Sequence, residues 1–218
     1  MAAPWARGTT TRRPPETMLA AIYTQALFIV ADVAYLRGAG VVLAFVRTFL
    51  GRKRFVAFRM GWVEALCAVE PLLLLAVTYH VQSGAVPAGS ATFGRMVAAL
   101  AGATLALGGA GLLVWSFLSW PGLFAGHGVL ADHKLMTGGA YGFVRHPVYL
   151  AALLVWLGLA VGYLSGTAFV VTALYVIPIY LLYIRSEEDM MLETFGDAYR
   201  EYRHVVPMLV PRPRPATG

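Results

Sequence analysis

Long apolar runs separated by short polar loops dominate the chain and predict helices that cross a membrane. Each run approaches or exceeds the roughly 20 apolar residues that a helix needs to span a bilayer. The spans must be helical because lipid cannot satisfy free backbone groups. The predicted spans cover residues 18–36, 62–81, 93–118, 147–163 and 167–184. The predicted fold is therefore all-α: a polytopic transmembrane helical bundle of about five spans.

The first apolar run allows two interpretations. It extends over residues 18–50 but contains Asp32, Arg37 and the weak helical sequence Gly38-Ala39-Gly40. We predict one span that ends near residue 36 and is followed by an interfacial or tilted continuation. Two short helices are the alternative, and they would place the N-terminus on the same side as the later polar loops.

Small residues in the third and fourth predicted spans indicate close helix packing, because glycine lets helices approach each other in lipid. In the third span these residues are Gly102, Gly108, Gly109 and Gly111. In the fourth span and the break after it, Gly158, Gly162 and Gly166 recur at every fourth position. The second set predicts that spans four and five pack as a tight hairpin.

The segment after the last span changes character and predicts an amphipathic cytosolic helix over residues 186–202. The apolar positions recur at helical spacing and would form one face; they are Met191, Leu192, Phe195, Tyr199 and Tyr202. Glu187 and Glu188 directly follow the last span. Their simplest interpretation is a solvated helix start capped by Ser186, since carboxylates are favoured near helix N-termini.

Composition and charge narrow the function classes. Hydrophobic residues make up 59% of the chain and charged residues only 13%, far from a typical soluble domain. The net charge of +6 comes from residues that flank apolar runs, so it indicates orientation and not nucleic-acid binding. The positive-inside rule places the basic loop near residues 47–59, the loop over 119–146 and the C-terminal tail in the cytosol. The predicted location is the inner membrane of a prokaryotic cell, with the active site facing the cytosol and the lipid bilayer as the main partner.

Side chains able to do chemistry are scarce and gather around the start of the fourth span. Arg145 offers a planar fork that suits a carboxylate, and His146 precedes Pro147, which fits the first turn of a helix. Tyr141 and Tyr149 flank these residues. The cluster is either a ligand-binding lip or a set of interfacial anchors, and Glu187 or Glu188 would bind a ligand or pair with Arg145.

Two further features concern the membrane interior. Glu70 lies near the middle of the second span, where a carboxylate is costly, so it should face the bundle interior and either line a substrate cavity or pair with an arginine. Asp32 with Arg37 is predicted to be a structural pair. The single cysteine, Cys67, excludes an internal disulfide and a cysteine-cluster metal site, and the histidines show no metal-ligand spacing.

Two blocks of the chain together resemble a known family. The first is His133-Lys134-Leu135-Met136-Thr137-Gly138-Gly139-Ala140-Tyr141 followed by Arg145-His146-Pro147-Val148-Tyr149. The second runs through Glu187, Glu188, Leu192, Phe195, Gly196, Tyr199 and Tyr202. This arrangement is similar to the isoprenylcysteine carboxyl methyltransferase family, which has phospholipid methyltransferase relatives. The first half of the chain resembles the family only in having apolar spans.

The resemblance implies an S-adenosylmethionine-dependent membrane methyltransferase with its cofactor site on the cytosolic face. The residues that would surround the cofactor by position are His133, Leu135, Tyr141, Arg145, His146, Pro147, Tyr149, Glu187 and Glu188. Arg145, Glu187 and Glu188 are the candidate catalytic residues, and Glu70 is a candidate substrate residue. The acceptor would be a lipophilic small molecule or lipid that carries a carboxylate, thiol, amine or headgroup.

The pattern of apolar runs and the resemblance together divide the chain into four segments: a flexible N-terminus (1–17), N-terminal transmembrane helices (18–118), the cofactor loop with hairpin and last helix (119–211), and a tail (212–218). Two other functions remain open at this point. Some sterol-type membrane reductases share a similar hairpin motif but use NADPH, and a non-catalytic accessory protein can retain such a fold. The motif here continues with Ala151 and Ala152, where the methyltransferase family often has glycine and the reductases an acidic residue.

Overall fold

The computed structural model describes residues 15–50, 55–58, 61–85, 87, 92–120, 128–130 and 134–211. His133, most of the predicted flexible N-terminus and the tail 212–218 lie outside these residues. The main helices are α1 (Pro15–Leu50), α2 (Trp62–Ser83), α3 (Phe93–Ser119), α4 (Ala140–Phe143), α5 (Pro147–Gly162), α6 (Gly166–Val171), α7 (Ile177–Phe195) and α8 (Asp197–Val205). A π-helical turn, Thr172–Val176, joins α6 to α7.

The helices confirm an all-α polytopic membrane fold. Within the described ranges, four helical segments are long and apolar enough to cross a membrane, and α5 is a shorter apolar helix between two of them. The four are Met18–Ala44, Trp62–Ser83, Phe93–Ser119 and Gly166–Phe195. Together with α5, they occupy the positions of the five predicted spans.

The first span differs from its prediction, because α1 continues without a break from Pro15 to Leu50. Gly38 does not end the helix. It gives α2 room to approach, since a β-carbon there would lie 2.8 Å from Leu75 Cδ2 and 3.1 Å from the Pro71 carbonyl oxygen. The charge of Arg37 is balanced inside the bundle by Glu70, so the helix does not need to leave the membrane at this point.

Glycines place α3 directly against α5, and this contact corrects the predicted hairpin between spans four and five. Gly158 and Gly162 face Gly102 of α3, whereas a β-carbon on Gly166 would meet nothing within 4 Å. A β-carbon on Gly102 would lie 2.4 Å from the Gly162 Cα. The repeat of small residues in the fourth span therefore serves contact with the third span, which carries small residues of its own.

Replacing Gly102 with alanine is expected to destabilise the protein by about 1–3 kcal/mol, because the two backbones must separate to admit the methyl group. Gly108→Ala on the same helix is the matched control, since a β-carbon there would meet nothing within 4 Å. Thermal unfolding in detergent should show a lower melting temperature for Gly102→Ala alone. Equal melting temperatures for the two variants would contradict the close α3–α5 contact.

A small antiparallel sheet fixes which loops share an end of the bundle. Strand β1 (Phe55–Phe58) follows α1, and strand β2 (Gly128–Leu130) follows α3. They pair with Phe55 opposite Leu130. The loop after α1 and the loop that leads to α4 therefore lie at the same end, as the charge pattern predicts.

The last crossing and the tail form one long helix that ends later than predicted. From Gly166 the helix passes through the π-helical turn and continues to Phe195, so Ser186 is not a helix cap. Gly196 then ends it with a positive φ of 53°, a conformation that glycine adopts without strain. The predicted single amphipathic helix is therefore divided, and α8 alone turns back along the end of the bundle, with Tyr199, Tyr202 and Val206 packed near Leu135.

Candidate functional site

The loop before α5 and the end of the chain are joined by main-chain hydrogen bonds. The Arg145 N–H donates to the Pro207 carbonyl at 2.8 Å, and the His146 N–H donates to the Met208 carbonyl at 3.1 Å. These bonds bring the two separated polar blocks of the sequence to one place. Their side chains can therefore act on one ligand.

Arg145 is the main side-chain link between the two blocks. Its Nε donates to Glu188 Oε1 at 2.9 Å, and its Nη2 lies 2.8 Å from the same oxygen. Its Nη1 donates to the main-chain carbonyls of Arg203 and Val206. The predicted pairing of Arg145 with one of the two glutamates is thus seen, and the chosen partner is Glu188.

The two neighbouring glutamates have different surroundings. Glu188 is buried and also contacts His146, whose Nε2 lies 3.1 Å from Oε1. Glu187 is more exposed and accepts a hydrogen bond from the Tyr149 hydroxyl at 3.0 Å, while His146 Nδ1 lies 3.6 Å from the same Oε2. Glu188 therefore holds the α7–loop junction together, and Glu187 keeps one oxygen available to a ligand.

A cavity of about 230 Å³ lies between these elements. Seven of the predicted site residues line it: Leu135, Tyr141, Arg145, His146, Pro147, Tyr149 and Glu187. Glu188 stands behind this lining as the partner of Arg145. In the part of the chain that the structure describes, His, Cys, Asp and Glu side chains form no group of three that could hold a metal ion.

Tyr141 carries an unused hydroxyl in the wall of the cavity. The side chain is 7% exposed, and its hydroxyl is the buried side-chain polar atom without a hydrogen bond among the described residues. Burial, together with the nearby Glu187 charge, raises the pKa of Tyr141, so the hydroxyl remains a donor at neutral pH. A buried polar group without a partner is costly, and a bound ligand would satisfy it.

Aromatic rings complete the cavity and were not all predicted. Tyr183 lies 5.7 Å from Tyr149 between ring centroids, and Trp120 stands edge-on to Tyr141 at the same centroid distance. Tyr183 precedes Glu187 by four positions on α7, so the two share a helix face; this spacing was the signal that could have identified it. Tyr199 also lines the cavity, although the sequence pattern assigned it only to an apolar helix face.

Glu70 lies outside this cavity, in a buried network of its own. Its two oxygens accept from Arg37 at 2.6 and 2.8 Å, and the Trp156 indole donates to Oε1. Arg37 also donates to the Tyr180 hydroxyl at 2.9 Å, and the Tyr180 ring packs edge-on against Tyr149 at 5.4 Å. The predicted Asp32–Arg37 pair is wrong, because the guanidinium reaches across to α2. The network instead connects the first two spans to the wall of the cavity.

Comparison with known proteins agrees with this geometry. Residues 97–198, which contain most of the site, match the family model described as phospholipid methyltransferase. The Protein-S-isoprenylcysteine O-methyltransferase of Schizosaccharomyces pombe is 37% identical over 83 residues, which cover 37% of this chain and 34% of that protein. The segment over residues 97–198 is therefore similar to phospholipid methyltransferases, and the chain shares a stretch of sequence with an isoprenylcysteine O-methyltransferase.

Two further relatives are named for a different methyl acceptor, methanethiol. Methanethiol S-methyltransferase 1 of Bradyrhizobium diazoefficiens is 38% identical over 81 residues, covering 36% of this chain and 26% of the relative. Methanethiol S-methyltransferase of Crocosphaera subtropica is 34% identical over 79 residues, covering 36% and 29%. The matches thus span about a third or less of the length of each relative. None of these names favours a reductase or a non-catalytic accessory protein.

Proposed function

We propose that this protein is an S-adenosylmethionine-dependent methyltransferase that acts on a lipophilic or membrane-embedded acceptor at the cytosolic membrane face. The observation that carries the proposal is the single cavity lined by both motif blocks, beside the start of α5 and the end of α7. The relatives with methyltransferase names support the reaction class. The cytosolic side rests on the distribution of lysine and arginine.

The residues around the cavity suit the chemistry of the donor. S-adenosylmethionine supplies a methyl group on a positively charged sulfonium, which is transferred by in-line displacement. The faces of Tyr149 and Tyr183 can attract that charge by cation–π interaction. The Glu187 carboxylate can accept a hydrogen bond from a ribose hydroxyl or an amine, and the free Tyr141 hydroxyl can donate one.

Arg145 and Glu188 are assigned mainly to building the cavity wall. Glu188 and two main-chain carbonyls already engage all three nitrogens of the Arg145 guanidinium. The positive charge of Arg145 still faces the cavity and suits the carboxylate of a methionine group. Such a transfer mainly requires that the donor and acceptor are aligned and that water is excluded. Both requirements depend on cavity-lining residues that keep fixed positions.

The class of acceptor is left open by the relatives, because one carries an O-methyltransferase name and two carry S-methyltransferase names. A carboxylate acceptor needs no base, whereas a thiol or amine must lose a proton. Glu187 is the cavity carboxylate that can take it. The acceptor is proposed to enter from lipid, since α1, α2 and α7 expose apolar side chains around the site; Leu43, Leu66 and Leu182 are examples.

The proposal is tested by incubating purified protein with lipid extracts and S-adenosylmethionine labelled in its methyl group. Transfer of label to an extractable lipophilic product supports it. Heating the protein with S-adenosylhomocysteine or with NADPH separates the donor classes, since a ligand that binds only the folded state raises its melting temperature. Stabilisation by NADPH alone would replace the methyltransferase proposal with a reductase.

The Tyr141→Phe variant is expected to bind S-adenosylhomocysteine about 3- to 10-fold more weakly, the equivalent of one hydrogen bond. It should not lower the stability of the ligand-free protein, because the hydroxyl makes no hydrogen bond among the described residues. Tyr202→Phe is the matched control, since its hydroxyl donates to the Tyr141 carbonyl at 2.7 Å and its loss should cost about 1 kcal/mol of stability. Calorimetry and thermal unfolding measure the two effects. Unchanged affinity in Tyr141→Phe would remove this hydroxyl from the site.

A further inference from the structure

A second cavity of about 320 Å³ lies at the opposite end of the bundle from the proposed donor site. Its lining comes from the early part of α1, the end of α2, the start of α3 and the turn after α5. The donor cavity lies at Pro147, the first residue of α5, and the second cavity lies beyond its last residue, Gly162. A helix of this length separates them by about 24 Å, so the second cavity cannot hold the same ligand.

Arg95 gives this cavity an unbalanced positive charge. The side chain is half-buried, and its guanidinium has no ion pair or hydrogen bond among the described residues. The lining contains no carboxylate, and its other titratable members are Tyr23, His80 and Tyr163. A partly buried cation without a counter-ion is unfavourable, so the cavity favours an anionic ligand.

Two more donors point to the same kind of ligand. Tyr23 is 5% exposed and lines the cavity, so its side chain is held in the wall. His80, on the last turn of α2, also lines it. The Tyr163 hydroxyl, by contrast, donates to the Leu27 carbonyl at 2.9 Å and so fixes its ring in the wall. An arginine, a tyrosine hydroxyl and an imidazole together suit the oxygens of a phosphate group.

Large apolar side chains beside the cavity indicate that the phosphate group belongs to a lipid. Tyr79 and Phe93, close in sequence to His80 and Arg95, are 70% and 73% exposed, and Leu164 at the cavity edge is exposed as well. Aromatic residues concentrate at the membrane–water interface. The cavity therefore opens at the depth where lipid headgroups meet acyl chains.

We propose that this cavity binds the phosphate of an anionic phospholipid in the leaflet opposite the donor site. Arg95 forms the ion pair with the phosphate, and Tyr23 and His80 donate hydrogen bonds to its oxygens. The acyl chains lie along the exposed apolar side chains of α2 and α3. This site is independent of the methyl-transfer reaction.

Native mass spectrometry of the full chain in detergent, with added phosphatidylglycerol, tests the proposal. The wild-type protein is expected to retain the lipid, and Arg95→Gln should lower retention about tenfold, as expected for the loss of charged hydrogen bonds. Tyr23→Phe removes only a hydroxyl and should give a smaller decrease. Arg200→Gln is the matched control for loss of a positive charge, because Arg200 is exposed on α8 and pairs with Asp197.

Equal lipid retention by the wild type, Arg95→Gln and Tyr23→Phe would overturn the proposal. A second arm replaces the lipid with inorganic phosphate. Retention of inorganic phosphate by the protein, without retention of phosphatidylglycerol, would refute the lipid assignment. If Arg95→Gln does not fold, the comparison of Tyr23→Phe with the wild type decides the result. None of these measurements depends on methyltransferase activity, so they remain valid if the proposed function fails.

Discussion

The Glu70→Ala variant is expected to lose about 3–5 kcal/mol of its free energy of unfolding, the usual cost of removing one partner of a buried ion pair. Arg37 would remain in the bundle without a counter-ion from the described residues, since both of its carboxylate contacts there are with Glu70. The Trp156 indole would also lose its acceptor. Thermal unfolding in detergent should show a large drop in melting temperature.

The double variant Arg37→Met, Glu70→Leu is the control for this effect. Replacement of a whole buried pair by apolar residues of similar size is often neutral or stabilising. We therefore expect the double variant to be clearly more stable than Glu70→Ala. A single variant as stable as the wild type would show that the ion pair does not hold α1 against α2.

The Arg145→Ala variant is expected to lose detectable binding of S-adenosylhomocysteine. Loss of the guanidinium breaks the ion pair with Glu188 and the bonds to the Arg203 and Val206 carbonyls, so only the two main-chain bonds from residues 145 and 146 still hold the tail at the cavity. Loss of one partner of a buried pair also costs about 3–5 kcal/mol of stability. Calorimetry in detergent measures the binding, and size-exclusion chromatography at the same temperature reports whether the protein is folded.

Arg200→Ala is the control for Arg145→Ala, because Arg200 lies on the same tail but is exposed and contacts Asp197. Its affinity for S-adenosylhomocysteine should equal that of the wild type. A folded Arg145→Ala protein with unchanged affinity would remove Arg145 from the site. Loss of binding in a folded Glu188→Gln variant would show that affinity for S-adenosylhomocysteine depends on the Arg145–Glu188 ion pair, and not on the arginine charge alone.

The positions of the apolar helices and several of their ends could be predicted because the membrane imposes long apolar segments. The third span was predicted over residues 93–118 and is observed as Phe93–Ser119. The fourth begins at Pro147 as predicted, because proline fits the first turn of a helix and disfavours helical geometry in the residue before it. For these two spans, the local sequence and the lipid environment favour the same helix ends.

The path of the first span could not be predicted from its own sequence. Arg37 and Gly38 suggest an end to the helix when α1 is considered alone. In the folded protein, Glu70 balances the charge and Leu75 packs against the glycine. Both compensations come from α2, so they depend on a pairing of helices that a periodic pattern does not contain.

The sequence predicted which residues gather around the cavity better than it predicted the contacts that each of them makes. The resemblance assigned Glu187 and Glu188 together, and the structure gives them different neighbours on adjacent positions of one helix. The free hydroxyl of Tyr141 could not be predicted at all, because it depends on which polar atoms surround it after folding. The resemblance had placed Tyr141 beside the donor, and the proposed hydrogen bond from its hydroxyl follows from the folded arrangement.

The π-helical turn at Thr172–Val176 sets the rotational phase of everything that follows it in the last crossing. Such a turn accommodates one more residue than an α-helical turn would, and each residue rotates the helix by about 100°. The π-helical turn, two to four helical turns earlier, therefore determines that the side chains of Tyr180, Tyr183 and Glu187 point inward. A deletion of one residue there would aim all three side chains elsewhere without altering any of them.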